Sequence, residues 1–271
     1  CSGRCMQGTP GRCYSMKHSM KIRVLGSGTS TGVPVIGCTC PVCTSSEPKN
    51  SRSRASLLIQ TPAHNLLIDT ATEFRLQALE AGIARVDAVF YTHAHADHIH
   101  GLDDLRPLSH RKPITVYADT RTRREIETRF SYIFSHQGQG GGVPQIHLHE
   151  VKSEVVDCCG LEIVPVPLLH GRLPILGYRF GSCAYLTDCS EIPEESFALL
   201  QDLEVLVIDA LRYRPHPTHF SIDQALTMIK RIAPRRAYLT HLCHDVDYET
   251  LLEELPAGVE PAYDGLEFEL D

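Results

Sequence analysis

Residues 93–98 read His-Ala-His-Ala-Asp-His, which puts three imidazoles and a carboxylate into six consecutive positions. Neighbours on a helical face recur every three or four residues, so this span is too short for one face to gather them all. The preceding stretch, Asp87-Ala-Val-Phe-Tyr-Thr92, is apolar and β-prone. The cluster is therefore expected where a buried strand ends and a loop begins. Donors that alternate along a turn can point two ways and serve two metal ions rather than one. Nitrogen and oxygen donors of this kind suit zinc, iron or manganese. A solvated histidine-rich loop is the bland alternative, and the strand-end placement argues against it.

The rest of the chain has room for the scaffold that such a cluster needs. With 271 residues it can bury a sizeable core, and 42% hydrophobic with 22% charged residues is the balance of a soluble globular protein. No apolar run approaches the roughly 20 residues of a membrane helix, so no membrane partner is expected. A net charge of −7 speaks against a large nucleic-acid surface. The eleven cysteines do not space out as a disulfide framework: Cys38, Cys40 and Cys43 cluster, Cys158 and Cys159 are adjacent, and Cys183, Cys189 and Cys243 lie near apolar strands. That pattern fits a reducing, cytoplasmic setting with one metal knot. Residues 1–20, with Cys1, Cys5 and Cys13, show neither an apolar signal core nor periodicity. They are expected to be a disordered extension or an early start, since Met16 and Met20 lie just before the first strand.

Strands are expected over residues 21–25, 55–60, 65–69, 87–92 and 113–117, with a helix over 73–82 and a charged helix from the cap at Asp119 to about Phe134. A glycine-rich loop follows at 137–142. Further strands are expected at 161–168, 176–180, 183–186, 205–208 and 235–239, and helices at 196–201, 222–232 and 248–255. No Pro-, Gly- or Ser-rich linker divides the chain, so one domain over 21–271 is expected. Strands in consecutive pairs, with helices only in places, suggest two mixed sheets with helices outside.

Three later apolar strands each end on one donor: residues 164–169 run into His170, 184–187 into Asp188, and 237–240 into His241. Together with the His-x-His-x-Asp-His run, in this order, they resemble the metallo-β-lactamase fold superfamily over residues 21–270. The resemblance implies an α/β (α+β) fold, a four-layer αβ/βα sandwich. It also implies that His93, His95 and His170 hold one metal, that Asp97, His98 and His241 hold the other, and that Asp188 bridges them. Two divalent ions, Mn2+ or Zn2+, roughly 3.5–4 Å apart clamp a shared water and bring its pKa toward neutrality. Asp69, after the apolar residues 66–68, is expected to accept a hydrogen bond from a ligand histidine, with a turn-capping role as the alternative.

Cys38, Cys40 and Cys43 offer three thiolates, one short of a closed, structural Zn2+ site. The fourth donor is expected to be His244, with Cys243 as its rival. The turn Gly26-Ser-Gly-Thr-Ser-Thr-Gly-Val-Pro34, the Cys-x-Cys-x-x-Cys run and Thr240-His-x-x-His244 together resemble the PhnP-type phosphodiesterases. Phosphoribosyl 1,2-cyclic phosphate is the substrate that this implies. The tRNA-processing enzyme tRNase Z is a cousin with the same ligands and a protruding arm, for which the short loop at 138–142 is no match. The implied activity is a phosphoric diester hydrolase that opens a small cyclic phosphodiester with a metal-bridging hydroxide. By the same resemblance His219 protonates the leaving oxygen, with His216 as its rival, and His219 and Asp97 are the catalytic candidates. Arg52, Arg54 and Arg212 are candidates for holding phosphate. Two other classes stay open: a metallohydrolase of a carboxylic ester, thioester or lactam, and a non-catalytic, PqqB-like accessory protein of cofactor biosynthesis. The expected partner is a small phosphodiester, with a homodimer left open as the assembly.

Overall fold

A computed structural model describes residues 20–135 and 142–270. The expected extension lies outside the described residues apart from Met20, which opens the first strand, and the glycine-rich loop lies outside them apart from Gly142. In chain order the strands of the first half are β1 (Met20–Gly26), β2 (Ser56–Gln60), β3 (Asn65–Ile68), β4 (Ala88–Phe90), β5 (Ile114–Ala118) and β6 (Ile146–Glu150). Those of the second are β7 (Val156–Cys158), β8 (Leu161–His170), β9 (Leu173–Phe180), β10 (Cys183–Leu186), β11 (Val205–Asp209), β12 (Arg236–Thr240), β13 (Val259–Pro261) and β14 (Glu267–Leu270). They form two seven-stranded sheets, ordered β14-β1-β2-β3-β4-β5-β6 and β13-β12-β11-β10-β9-β8-β7.

Each sheet is half antiparallel and half parallel. The pairs from β14 to β3 are antiparallel and those from β3 to β6 parallel. In the second sheet β13 to β10 pair in parallel and β10 to β7 antiparallel. Side chains alternate along a strand, and here both faces are covered. On β2 and β3, Leu57, Ile59, Leu66 and Ile68 pack toward the second sheet, against Tyr178, Phe180, Val205 and Val207. Leu58 and Leu67 point the other way, into a cluster with Phe74, Val116 and Ile126. This two-sided burial is why the strands read as apolar runs rather than as a clean alternation.

The helices are α1 (Phe74–Glu80), α2 (Ala96–Ile99), α3 (Thr120–Arg129), α4 (Ser131–Phe134), α5 (Ile222–Ile232) and α6 (Tyr248–Glu254). α1 and α3 cover the outer face of the first sheet through Phe74 and Ile126, and α5 and α6 that of the second through Ala225, Ile229 and Leu251. The result is the expected mixed α/β two-sheet sandwich. α5 begins with a capping box: Ser221 Oγ accepts from Gln224 N at 3.4 Å while Gln224 Oε1 accepts from Ser221 N at 2.9 Å. That box fixes the chain two residues after His219.

Several elements differ from expectation. The charged helix breaks at Phe130 (φ −110°, ψ 36°), so α3 and α4 are separate. Residues Glu194–Leu200 form a 3₁₀ helix rather than an α-helix, and a second 3₁₀ helix spans His100–Leu108. The histidine run is a loop only in its first half, because Asp97 and His98 sit on the single turn of α2. Strands β6, β7, β13 and β14 had no counterpart in the sequence reading. Among the described residues no helix is long and apolar enough to cross a membrane.

Candidate metal centre and active site

The donor residues lie at the carboxyl ends of strands, where an open α/β sheet presents its ligand-binding crevice. Asp69 follows β3, the histidine run follows β4, Asp188 follows β10 and His241 follows β12, while His170 and Asp209 are the last residues of β8 and β11. Six non-glycine residues have left-handed φ among the described residues, and Asp69 (62°), Asp188 (61°) and His241 (61°) are half of them. Such backbone costs an ordinary residue on the order of 1–3 kcal/mol and persists where the surroundings over-determine it. Here it turns three side chains from the sheet edge toward one centre.

Two donor groups result. One ligand atom from each of His93, His95, His170 and Asp188 lies within 4.8 Å of the others, and so do atoms of Asp97, His98, Asp188 and His241. Asp188 belongs to both, with Oδ1 2.9 Å from His241 Nε2, and Oδ2 3.1 Å from His98 Nε2 and 3.6 Å from His93 Nε2. The structure thus brings together all seven residues that were expected to form the centre. His95 is the exposed member, and the rest are buried.

The orientation of the rings is set from behind. Asp69, fully buried, accepts from Thr92 N–H and Thr92 O–H, both at 2.8 Å, and from His98 Nδ1 at 2.7 Å. His98 is left to present Nε2 to the centre, the arrangement expected of Asp69. His170 Nδ1 donates to the Thr218 carbonyl at 2.7 Å, which frees its Nε2 in the same way. Asp209, which the sequence reading passed over, accepts from His219 Nδ1 at 2.7 Å and is itself fully buried. This pair stands against the centre, with atoms of Asp209 and His219 within 4.8 Å of donors on Asp188 and His241. His216 lies farther out, its ring 5.2 Å from that of His219 and its Nδ1 3.2 Å from Thr218 Oγ1.

The electrostatics call for cations. Asp69, Asp97, Asp188 and Asp209 are all buried, and among the described residues none pairs with a lysine or arginine. Burial would push the Asp188 carboxyl up, but His241 and His98 outweigh it and hold it well below the usual carboxylate range. Burial likewise opposes charge on His241 and His98. Asp188 is the main counterweight in both: it raises His241 to about 10 and, with Asp97 and Asp69, raises His98 well above the ordinary histidine value. His93 instead is pushed well below it, by burial and by the neighbouring His98. His93 Nε2, Asp97 Oδ2, His98 Nε2 and His241 Nε2 are buried without hydrogen-bond partners. Buried acids compensated only by imidazoles, with four donor atoms left over, fit a pair of divalent metal ions.

A second cluster lies at the surface. His244 Nδ1 stands 3.2, 3.6 and 3.5 Å from the sulfurs of Cys38, Cys40 and Cys43. The four residues fit a single tetrahedral ion. Cys243 is not part of it, since its sulfur is buried and accepts from Asp245 N. The turn that carries both His241 and His244 rests on the Gly26–Gly32 segment, where Leu242 N donates to Ser27 O at 3.0 Å. On its other side the segment is pressed against the residues before β2: a Cβ on Gly28 would meet Arg52 O at 2.8 Å, so only glycine fits.

The arginines expected to hold phosphate are engaged elsewhere. Arg52 is 1% exposed, and its guanidinium donates to the carbonyls of Cys243 and Val246 and to Asn50 Oδ1. A turn with inward-pointing carbonyls needs buried donors, and Arg52 supplies them. Arg54 pairs with Glu73, and Arg212 donates to the carbonyls of Arg214 and Pro215.

Fold and donor groups define the class, and the comparisons give it a family. The chain belongs to the β-lactamase superfamily, whose domain matches residues 64–242, from just before β3 through His241. A solved structure, a new diphosphatase from the PhnP family, is 44% identical with a TM-score of 0.88 and covers 93% of this chain and 97% of that one. A protein of Porphyromonas gingivalis named octanoyltransferase is 43% identical over 256 residues, which is 93% of this chain and 52% of that protein. A ribonuclease Z of Mycobacterium sp. (strain KMS) is 26% identical over 164 residues, 54% of this chain and 56% of that protein. The chain thus spans about half the length of the first curated relatives it matches. The expected likeness to the metallo-β-lactamase fold, to the PhnP family and to ribonuclease Z is borne out.

Proposed function

We propose that the protein is a metal-dependent phosphohydrolase that cleaves a phosphodiester or diphosphate link in a small molecule, the cyclic ribosyl phosphodiester being one such substrate. The observation that carries the reading is Asp188, shared by two donor groups, with the His219–Asp209 pair standing against it. In this proposal His93, His95 and His170 hold one ion, Asp97, His98 and His241 hold the other, and Asp188 belongs to both. Bound there, two divalent ions would supply positive charge for the phosphoryl oxygens and make water a stronger acid.

The protein's own groups do the rest. Asp69 keeps His98 in the tautomer that presents Nε2, and the Thr218 carbonyl does the same for His170. Asp209 takes the Nδ1 proton of His219 in a hydrogen bond, which leaves Nε2 as the atom that carries a proton to the leaving oxygen. A ribose or alkyl alkoxide needs that proton, because it leaves poorly without one. Cys38, Cys40, Cys43 and His244 hold a structural zinc in the same proposal. The diphosphatase relative supports the diphosphate form of the substrate.

A second reading, chemistry on an acyl group, draws on the name of the Porphyromonas gingivalis protein. One panel separates the two. Protein loaded with Mn2+ or Zn2+ should hydrolyse bis(p-nitrophenyl) phosphate and a nucleoside diphosphate sugar faster than p-nitrophenyl octanoate or nitrocefin. Turnover of the octanoate with none of the phosphate esters would hand the site to the acyl reading.

A further inference from the structure

The loop between β11 and α5 carries a second histidine, His216, to which the proposed chemistry gives no task. It stands in the run Pro215-His-Pro-Thr-His219. Pro215 and Pro217 have no backbone N–H, so few donors remain to fix this stretch, and each needs a partner. The Thr218 N–H donates to His216 Nδ1 at 3.4 Å, and the Thr218 hydroxyl lies 3.2 Å from the same atom. The Thr218 carbonyl faces the other way and accepts from His170 Nδ1 at 2.7 Å. The Thr218 methyl group packs on Gly171, which follows His170 in left-handed backbone (φ 63°): a Cβ there would meet Thr218 Cγ2 at 2.9 Å. Thr218 makes no other hydrogen bond among the described residues. It is a link, with His216 at one end and the donor His170 at the other.

A ring nitrogen that accepts hydrogen bonds carries no proton, so His216 is the neutral tautomer with its proton on Nε2. Burial and the neighbouring His219 also push its pKa below the ordinary histidine value. Histidine Nδ1 is bonded to Cγ, as asparagine Oδ1 is, and has the same reach along the chain. His216 therefore does what the side chain of an Asx turn does, accepting from the backbone N–H two residues on. We propose that His216 is a positioning residue for His170: by fixing Thr218 it holds the carbonyl that keeps His170 in the tautomer presenting Nε2 to the centre. The inference rests on the metal reading of the donor groups and extends it one residue outward.

Two measurements test it, and neither uses hydrolysis. A long-range 1H–15N spectrum reads the tautomer of each imidazole, in Zn2+-loaded protein or without metal. It should show His170 as the Nδ1–H form and His216 as the Nε2–H form. A chelator competition titration then reads zinc affinity. His216→Leu keeps bulk and loses the acceptor, whereas His216→Asn loses bulk and keeps an acceptor that forms the same turn before proline. The leucine variant should bind one ion per chain about tenfold more weakly, the lower end of the cost of losing a partner behind a metal ligand, because Thr218 lies between. Its His170 Nδ1–H signal should broaden. The asparagine variant should match the wild type in both readouts, which a mere packing role for the ring would not allow. Losses in both variants, in neither, or in asparagine alone would overturn the inference and leave the donor groups as they stand, as would His170 in the other tautomer in the wild type. Wild-type protein that binds no ion beyond the cysteine cluster would overturn the metal reading instead, and the spectra of the three proteins would still decide whether His216 sets the tautomer of His170.

Discussion

His241 reaches into the buried histidine–aspartate centre, and His244, in the same turn, reaches the surface thiols of Cys38, Cys40 and Cys43. The two clusters share a segment and are built in opposite ways. The cysteine cluster takes three donors from one short loop and a single remote histidine, and all four residues are partly exposed. The centre takes its donors from the ends of separate strands in both sheets, buries nearly all of them and holds two of them, Asp188 and His241, together with the supporting Asp69, in left-handed backbone. The cysteine cluster needs one long-range contact, between its own loop and His244, to be complete. The distributed one exists only when both sheets are packed, so it inherits their rigidity and is suited to holding reacting atoms in place.

The sharpest way to break the comparison is Asp188→Ala. It should abolish hydrolysis and strip the centre of its ions while the cysteine cluster keeps its zinc, so that elemental analysis falls from about three ions per chain to about one. Loss of all ions together would mean that the clusters are not separable. Next in size is His219→Ala, expected to slow an alkyl or ribose phosphodiester by roughly 10²–10⁴-fold, with a far smaller effect on a p-nitrophenyl diester. Equal slowing of both substrates would show that His219 positions the phosphate instead. Asp209→Asn should reproduce the same leaving-group dependence at a reduced scale, roughly 10–100-fold, because it acts through His219.

Cys40→Ser inverts the experiment. It should leave the centre's chemistry per folded molecule intact and lower the melting temperature, by roughly 2–4 °C for each kcal/mol lost. An unaltered melting curve would remove the structural role of the cluster. The smallest effect is one of pH. The Cys43 N–H donates to the Cys40 sulfur and, against the cost of burial, holds that thiol down to about 7, while burial pushes Cys43 up to about 11. Zinc requires thiolates, so binding expels protons and affinity falls as pH falls. Below about pH 7 Cys40 itself must be deprotonated on binding, and the loss of affinity in a competition titration should steepen there.

The contrast also explains what could be read from the residues alone. Cys38, Cys40 and Cys43 lie close together in sequence, as do the donors of the histidine run, and His170, Asp188 and His241 each stand out as a lone donor after an apolar strand. Asp209 carries the same signal, at the end of Val205-Leu-Val-Ile-Asp209, but nothing nearby in sequence marks His219 as its partner. The role of Arg52 is not legible in the sequence, because an arginine is ordinarily solvated and only the packed fold reveals carbonyls in need of its donors. Strands β7 and β13 are three residues long, and β13 ends on a proline, so neither offers a periodicity to detect. β14 becomes a strand only by lying on β1.

That last pairing sets an order of events. Leu270 sits opposite Met20 and Glu267 opposite Arg23, so the first of the described strands acquires its outer neighbour from residues made some 250 positions later. While the chain is still being synthesised, the outer edge of β1 is bare, a row of unpaired amide groups open to any other strand. The same contact joins residues 20–23 to residues 267–270, so the sheet that carries Asp69 and the histidine run is finished only after His241 and His244 have been made.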